Sequence, residues 1–183
     1  MIIGLAGKKR SGKDTVADYL CREHNFTKYA FGDPVKNVCH HLLGFSFDQL
    51  YGNDKEKIDE RIGMSPREAM QKIGTEFGRE YLHTLFPSLN VDSGQIWIYH
   101  FQKYLNENKG KNIVISDVRF ENELDSIVKN GGKVFFIDSY YCQKNDGHLS
   151  ESFNISMEKY QGIIENKGTL EELFNNSKNT LNL

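Results

Sequence analysis

Residues Ile2–Tyr19 read IIGLAGKKRSGKDTVADY, and this segment predicts how the rest of the chain is built. A short apolar run ends at Gly7, and a helix-forming stretch starts after Gly12. Glycines at these positions let the backbone wrap so that its N–H groups and the positive end of a helix dipole point at a phosphate, and Lys13 adds a cation. The pattern predicts a P-loop that binds a nucleoside triphosphate. The alternative, a glycine-rich turn without a ligand, leaves the lysine and the following hydroxyl unexplained.

One residue of this loop departs from the common pattern. Asp14 stands where a serine or threonine usually binds magnesium, and the hydroxyl follows one position later at Thr15. A displaced hydroxyl of this kind occurs in P-loop kinases that act on small molecules. We therefore expect Thr15 and Asp14 to take part in a magnesium site, because this ion prefers oxygen ligands.

The composition excludes several classes of protein. The chain has 183 residues, which is about one domain, and its formal net charge of −2 creates no basic field for nucleic acid or membrane. Its three cysteines are widely spaced and form no CxxC pair, which argues against zinc and for a reducing compartment. No apolar run reaches membrane-spanning length, and Met1 leads directly into the first predicted strand. We expect a cytoplasmic protein that binds neither nucleic acid nor membrane.

Apolar runs alternate with amphipathic stretches along the chain, which predicts an α/β fold with a parallel sheet. Two carboxylates follow predicted strands: Asp33 comes after the second strand, and Asp117 follows the third as in a Walker B element. Ligands bind at the carboxyl edge of open parallel sheets, so both are candidate site residues. The last predicted helix covers Thr169–Asn175, with a frayed tail after it. The predicted strands are Ile2–Ala6, Phe26–Phe31, Asn112–Ser116, Lys133–Ile137 and Gly162–Glu165.

A long helix is predicted in the middle of the chain. It begins at Ser65–Glu68, a capping box with proline at the first helical position. Gly74 and Gly78 interrupt it, and each costs about 1 kcal/mol relative to alanine in a helix interior. Two explanations stay open: another element packs closely against these glycines, or a ligand lies against the backbone.

The spacing of side chains on this helix predicts two faces. Arg67 and Arg79 suit a planar substrate that carries a phosphate, because a guanidinium can grip a phosphate with two hydrogen bonds. The alternative is that both are ordinary surface arginines. The apolar face, expected to be buried, consists of Met70, Ile73, Phe77, Tyr81 and Leu85. The polar face consists of Gln71, Thr75 and Arg79.

Several segments together resemble the viral deoxynucleoside monophosphate kinases, which are best known from bacteriophages. The resemblance spans nearly the whole chain in order, and Gly74–Arg79 and Asp117–Glu123 are its most specific parts. The other segments that carry it are the P-loop, Phe31–Lys36, Ser65–Ala69, Ile96–Trp97, His148–Glu151 and Asn166–Leu170.

The resemblance implies an α/β/α P-loop kinase fold in one domain over residues 1–183. A helical insertion at about 45–110 would bind the monophosphate, and a lid would cover about 139–160. The implied reaction transfers the γ-phosphoryl group of ATP to a deoxynucleoside monophosphate with the help of magnesium, in the host cytoplasm if the protein is viral. The oligomeric state stays open, a homodimer included.

The resemblance also implies roles for individual residues. Asp33 is expected as a positioning or magnesium-linked group, because an acceptor phosphate is already anionic at neutral pH and needs no strong base. The residues expected at the nucleotide are Gly7, Ser11, Gly12, Lys13, Asp14, Thr15, Asn166 and Gly168, the last two in an adenine pocket. Those expected at the acceptor are Lys36, Arg67, Gln71, Thr75, Arg79, Trp97 and Glu151. The expected metal ligands are Thr15, Asp14 and Asp117.

The predicted lid differs from that of related kinases, which often bring lid arginines to the transferring phosphate. Residues 139–160 contain no arginine and only two lysines, Lys144 and Lys159. The missing positive charge is then expected from Arg10 and Arg119, which join Lys13 and Asp33 as candidate catalytic residues. The alternative is that Arg119 only pairs with Glu121 or Glu123 at the start of a helix.

Two other functions stay open on the sequence alone. A P-loop kinase with a hydroxyl acceptor, such as a dephospho-coenzyme A kinase or a nucleoside kinase, would use Asp33 as a general base. A nucleotide-binding switch would control a partner without catalysis. The sequence lacks the Asn-Lys-x-Asp segment that reads guanine, and the arginine-bearing middle helix favours a second small ligand.

Overall fold

The computed structural model describes residues 1–140 and 155–183. Five strands form one sheet: β1 (Ile2–Ala6), β2 (Phe26–Tyr29), β3 (Asn112–Val118), β4 (Lys133–Ser139) and β5 (Gly162–Asn166). Their order across the sheet is β2-β3-β1-β4-β5, and all neighbours run parallel. The predicted five-stranded parallel sheet is confirmed.

Helices occupy the connections between the strands. After β1 comes α1 (Lys13–His24), and after β3 comes α7 (Glu121–Lys129). A turn of 3-10 helix (Met157–Lys159) precedes β5, and α8 (Leu170–Leu181) follows it. Between β2 and β3 lie α2 (Gly32–Leu43), α3 (Phe47–Tyr51), a 3-10 turn (Asn53–Glu56), α4 (Pro66–Lys72), a π-helix (Ile73–Tyr81), α5 (Leu82–Leu85) and α6 (Ile96–Glu107).

The central strand β1 shows why the sheet is covered on both faces. Ile3 and Leu5 point to one side, where they share a buried apolar cluster with residues of α1 and α8. Gly4 points to the other side, where a β-carbon built on it would lie 2.9 Å from Cδ1 of Ile127 in α7. A parallel strand buried on both faces is expected to read as an apolar run, as β1 does. The layers are therefore helix, sheet and helix, as predicted.

The chain divides into two compact units. The sheet unit consists of residues 1–30 and 108–183 and contains all five strands with α1, α7 and α8. The helical unit consists of residues 31–107, and its buried side chains include Phe45, Leu50, Trp97 and Phe101. The assignment of the whole chain to one domain, with an insertion at about 45–110, stays a prediction.

The prediction of which face of the middle helix is buried is wrong. Phe77, Tyr81 and Leu85 are 38%, 58% and 60% exposed, whereas Thr75 and Gly78 are buried. The reason is the π-helix over Ile73–Tyr81, in which backbone bonds span five residues and the side-chain phase departs from the 3.6-residue period. The periodicity argument assumed an α-helix throughout this stretch.

Several element ends also differ from the sequence expectation. β2 ends at Tyr29 and not at Phe31, because Phe31 is the N-cap residue of α2. β3 continues to Val118, so Asp117 is the second-last residue of the strand and does not follow its end. α8 continues to Leu181, and the expected frayed tail is wrong because Ser177 and Leu181 are buried in the sheet unit.

The predicted lid at about 139–160 falls largely outside the described residues, as do Lys144, His148 and Glu151. Within residues 1–140 and 155–183 no helix is long and apolar enough to span a membrane.

Candidate active site

The loop between β1 and α1 has the backbone conformation that its glycines predict. Gly7 has φ 147° and Gly12 has φ 99°, values that side-chain-bearing residues rarely adopt. A β-carbon built on Gly7 would lie 2.6 Å from Oγ of Ser11 and 2.8 Å from the carbonyl oxygen of Ile137. The loop therefore wraps tightly around itself, and α1 begins directly after it at Lys13.

The ammonium group of Lys13 lies across this loop. Its Nζ donates hydrogen bonds to the carbonyl oxygens of Gly7 (2.7 Å) and Lys8 (2.8 Å). The side chain thus places a positive charge at the rim of the loop, next to the positive end of the α1 dipole. This arrangement suits the phosphates of a nucleoside triphosphate.

The hydroxyl of Ser11 offers a further test of whether the loop fits a phosphate. Ser11 is fully buried, and its Oγ has no hydrogen-bond partner among the described residues. A buried hydroxyl without a partner costs free energy, so such groups in folded proteins usually meet water or a ligand. A phosphate oxygen in the loop would supply the missing acceptor. Arg10, on the exposed side of the same loop, has φ 64°.

Asp14 is held by a lysine on the neighbouring strand. Its carboxylate lies 2.9 Å from Nζ of Lys28, which also pairs with Asp18 at 3.0 Å. Burial lowers the pKa of Lys28, but the hydrogen bonds and charges of the two carboxylates outweigh it and raise the pKa overall. Asp14 therefore belongs to an ion-pair cluster on the surface of α1.

Thr15 and Asp117 remain as candidate magnesium ligands in the sheet unit. Ala6 pairs with Val118 in the parallel ladder, so Asp117 lies at the end of β3 beside the start of the loop. The described residues contain no cluster of three or more His, Cys, Asp or Glu side chains that could hold a metal ion. The two oxygen donors of Thr15 and Asp117 fit magnesium, because this ion usually keeps several waters and takes one or two protein oxygens together with substrate phosphates.

The segment after β3 is fixed by the buried carboxylate of Glu123. Glu123 is 2% exposed, and its Oε2 accepts the backbone N–H groups of Arg119 (2.8 Å) and Phe120 (3.2 Å). Glu121, the other acid near Arg119, pairs with Lys159. The sequence signal for this arrangement is the capping position of Glu123 in the first turn of α7.

The end of β5 reaches the P-loop. Nδ2 of Asn166 donates a hydrogen bond to the carbonyl oxygen of Ser11 at 2.9 Å. Gly168 lies in the exposed turn before α8, and a β-carbon built on it would collide with the carboxylate of Glu172, which closes the capping box with Thr169. The structure therefore brings Asn166 to the loop, while Gly168 allows the turn.

In the helical unit, Asp33 and Lys36 form one cluster with a residue that the sequence analysis missed. Nζ of Lys36 lies 2.9 Å from Oδ1 of Asp33, and the hydroxyl of Tyr51 donates to the same oxygen at 3.3 Å. Nζ of Lys36 also lies 4.1 Å from the ring centroid of Tyr51. The available signal was the pair Phe47 and Tyr51, one helical turn apart, whose rings stack with centroids 4.5 Å apart.

The candidate acceptor residues on the middle helix have different environments. Nε of Arg67 donates to Oε1 of Glu56 at 2.5 Å, so Arg67 is held against the 3-10 turn. Thr75 is buried, whereas Gln71 and Arg79 are partly exposed. Oε2 of Glu76 is buried without a hydrogen-bond partner among the described residues. Glu76 is therefore a further polar group that the sequence analysis did not single out.

Trp97 explains the glycines of this helix. It is 4% exposed, and its Nε1 donates to the carbonyl oxygen of Gly74 at 2.7 Å. A β-carbon built on Gly78 would lie 2.8 Å from Cε2 of Trp97 and closer still to Cζ2. Close packing of another element is therefore the explanation at Gly78. The indole of Trp97 packs against the π-helix, and a direct contact between Trp97 and substrate stays a prediction.

Comparison with known proteins points to one family. A family model described as deoxynucleotide monophosphate kinase matches residues 1–57 and 45–177. A protein of Acanthamoeba polyphaga mimivirus named for this activity is 38% identical over 181 residues, which is 95% of this chain and 92% of that protein. The deoxynucleotide monophosphate kinase of Enterobacteria phage T4 is 25% identical, with 98% of each chain covered.

Solved structures share the fold at much lower identity. TT1252 from Thermus thermophilus superimposes with a TM-score of 0.53 at 16% identity, covering 100% of this chain and 96% of that one. The dephospho-CoA kinase of Campylobacter jejuni gives 0.50 at 11% identity, covering 99% and 95%. Likeness at these identities shows the fold alone.

Proposed function

The chain belongs to the deoxynucleotide monophosphate kinase family, and from that premise we propose that it transfers the γ-phosphoryl group of ATP to a deoxynucleoside monophosphate. The products are ADP and a deoxynucleoside diphosphate. Phosphoryl transfer needs in-line alignment and charge neutralisation and little covalent work by the protein. The residues of the chain are therefore proposed to hold and orient two ligands.

The P-loop carries the donor half of this proposal. The left-handed glycines Gly7 and Gly12 shape the loop, and Lys13 holds its ammonium over the loop carbonyls. Backbone N–H groups of the loop, the Ser11 hydroxyl and Lys13 would bind the β- and γ-phosphates. We place the adenine near the turn that contains Gly168, as the family resemblance implies.

The magnesium site is proposed at Thr15 and Asp117. Asp14 is a weaker candidate, because its carboxylate is already paired with Lys28. Direct binding through Asp14 would require that this ion pair open. When bound, magnesium neutralises charge on the β- and γ-phosphates and orients them.

The acceptor half is proposed in the helical unit. Arg79 and Arg67 would hold the monophosphate, since a guanidinium can donate two parallel hydrogen bonds to it. Arg67 would exchange its bond to Glu56 for the phosphate. Lys36 adds a cation, with Gln71, Thr75 and Glu151 as the remaining candidate contacts. Glu151 rests on the sequence alone.

The chemistry balances without a general base. An oxygen of the acceptor phosphate forms a new bond to the γ-phosphorus, and the bond from that phosphorus to the β–γ bridging oxygen breaks. The electron pair of the broken bond stays on ADP. The acceptor phosphate is already an anion near neutral pH, because its second pKa is about 6. Oδ1 of Asp33 already accepts bonds from Lys36 and Tyr51, which suits a positioning group better than a base.

Charge on the transferring phosphoryl group would be compensated by Arg119 and Arg10. Both belong to the sheet unit, and Glu123 holds the backbone at Arg119. A charge supplied from a fixed core is preorganised, which is how electrostatic stabilisation of a transition state is most effective.

A substrate panel tests the proposed function. ADP release is measured with the four common deoxynucleoside monophosphates, with nucleosides and with dephospho-coenzyme A as acceptors, and Lys13→Ala serves as the inactive control. We expect activity with one or more monophosphates only. Activity confined to hydroxyl acceptors, or nucleotide binding without transfer to any acceptor, would contradict the proposal.

A further inference from the structure

Asn166 connects the last strand of the sheet to the phosphate-binding loop. It is the final residue of β5, and its Nδ2 donates to the carbonyl oxygen of Ser11 at 2.9 Å. The two residues lie 155 positions apart in the chain, so only folding of the sheet unit brings them together. The acceptor of this bond is a main-chain atom of the loop itself.

The position of Asn166 is set by contacts that do not involve the loop. Asn166 pairs with Ser139 of β4 in the parallel ladder. On its other side, the capping box of Thr169 and Glu172 fixes the start of α8. The side chain of Asn176 in α8 donates to the carbonyl oxygen of Glu165 at 3.0 Å. The carboxamide of Asn166 is therefore presented to the loop from a fixed frame.

The packing at Gly12 agrees with this fixed position of Asn166. A β-carbon built on Gly12 would lie 2.7 Å from Nδ2 of Asn166 and 3.4 Å from Cδ2 of Leu173. Gly12 also needs its left-handed conformation, with φ 99° and ψ 11°, to start α1. The carboxamide thus occupies the space beside the glycine, and the loop closes against it.

The hydrogen bond fixes the orientation of one peptide group. In a planar trans peptide the C=O and the following N–H point in opposite directions. Because the carbonyl of Ser11 points to Asn166, the N–H of Gly12 points away from β5. Loop N–H groups must converge on the phosphates for the site to bind them. A flip of this peptide would replace a donor with a carbonyl oxygen, which repels an anion.

We propose that Asn166 is a positioning residue for the triphosphate: its carboxamide holds the Ser11–Gly12 peptide with the N–H of Gly12 toward the phosphates, and it acts without touching the base. This inference rests on the proposed function, since it takes the loop to be the ATP site. It places Asn166 at the phosphate end of the nucleotide, whereas the family resemblance implies a role at the adenine.

Two ligands separate these roles. ATP carries both a base and a triphosphate, whereas inorganic tripolyphosphate carries the phosphates alone. Calorimetric titration of the wild type, Asn166→Ala and Asn166→Asp with each ligand measures the loss of affinity. The aspartate variant keeps the size of the side chain, removes the donor and adds a negative charge, so it serves if the alanine variant fails to fold.

We expect Asn166→Ala to weaken ATP and tripolyphosphate by the same factor, about fivefold, the value of one hydrogen bond. Asn166→Asp should weaken both more strongly, because a carboxylate would face the Ser11 carbonyl and repel the phosphates. The Michaelis constant for the monophosphate should not change. The matched control is Asn176→Ala, which removes a bond of the same kind one residue away at Glu165. It leaves the pairing of Asn166 with Ser139 and the capping box of α8 in place, so both affinities should fall much less than in Asn166→Ala.

Three results would overturn the inference. Weaker ATP binding with unchanged tripolyphosphate binding would make Asn166 an adenine contact. Equal losses in the Asn166 and Asn176 variants would show only that α8 must dock on β5. Unchanged affinity for both ligands would show that the loop keeps its shape without the bond. A wild type that binds neither ATP nor tripolyphosphate would instead contradict the proposed function.

Discussion

The hydroxyl of Tyr51 lies 3.3 Å from Oδ1 of Asp33 and donates a hydrogen bond to it, although the two residues are 18 positions apart in the chain. Lys36 shares the same carboxylate oxygen at 2.9 Å and lies over the Tyr51 ring. Tyr51 therefore contacts both members of the ion pair that begins α2. Since Lys36 is proposed to bind the acceptor and Asp33 is proposed as a positioning group, Tyr51 becomes a further residue of the acceptor half.

Tyr51→Phe should raise the Michaelis constant for the monophosphate a few-fold and leave that for ATP unchanged. The variant removes one hydrogen bond, a loss of about 1 kcal/mol, and keeps the ring beside Lys36 and Phe47. Steady-state kinetics with each substrate varied in turn measures the split. Phe47→Leu is the control, because it disturbs the stacked pair without touching Asp33. Equal effects on both substrates would contradict a role in acceptor binding.

The ionisation of Tyr51 should be displaced to high pH. Burial raises its pKa, and the negative charge of Asp33 and the hydrogen bond to it raise the pKa further, to about 12. Tyrosinate absorbance should show that the wild type and Tyr51→Phe titrate alike near pH 10, differ by about half of one tyrosine near pH 12, and differ by a full tyrosine only at higher pH. The stability that this group contributes is complete below pH 10 and is lost as the pH rises through about 12. A difference of one tyrosine already at pH 10 would contradict the burial and the bond.

Arg79→Ala should raise the Michaelis constant for the monophosphate at least about tenfold, because hydrogen bonds to a charged group are worth more than neutral ones. The constant for ATP should change little. Arg79→Lys should recover only part of the loss, since a point charge does not reproduce the planar fork. Arg22→Ala, at an exposed arginine on α1 outside the proposed site, is the control. A common fall in affinity for both substrates would indicate a role in folding.

Arg119→Ala should abolish the chemical step while both substrates still bind. The variant keeps the main chain that Glu123 holds and removes the side chain beyond Cβ, including the guanidinium. Single-turnover transfer at saturating substrates measures the chemical rate, with Glu121→Ala as the control for the local ion pair with Lys159. A normal chemical rate together with a lower melting temperature would show that Arg119 has only a structural role. The positive charge at the transferring phosphoryl group would then be expected from Arg10.

Gly78→Ala should destabilise the protein by about 1–3 kcal/mol, the usual cost of overpacking a buried site. The added methyl group would press into the indole of Trp97, which is itself buried. Gly74→Ala is the matched control on the same π-helix, because its β-carbon would meet only Val35 at an ordinary 3.5 Å. Chemical denaturation of both variants measures the difference. Equal stability of the two alanine variants would contradict the packing described here.

The sequence by itself determined the features that depend on neighbours in the chain. The positive φ of Gly7 and Gly12 follows from the need of a phosphate loop for residues without a β-carbon. The alternation of apolar strands and amphipathic helices was enough to predict the parallel sheet, and the motifs in their order along the chain carried the resemblance to the family. These signals are local, because a strand, a cap or a tight turn is decided by a few consecutive residues.

Only the tertiary structure decided which distant residues meet. Asn166 reaches Ser11, and Tyr51 reaches Asp33, through hydrogen bonds that leave no periodic trace in the sequence. The exposure of Phe77 was missed for a related reason: the indole of Trp97, 19 positions after Gly78 in the chain, packs against that glycine, and the helix winds with a longer turn there. Periodicity predicts which residues share a helix face. Which face is buried depends on what packs against it.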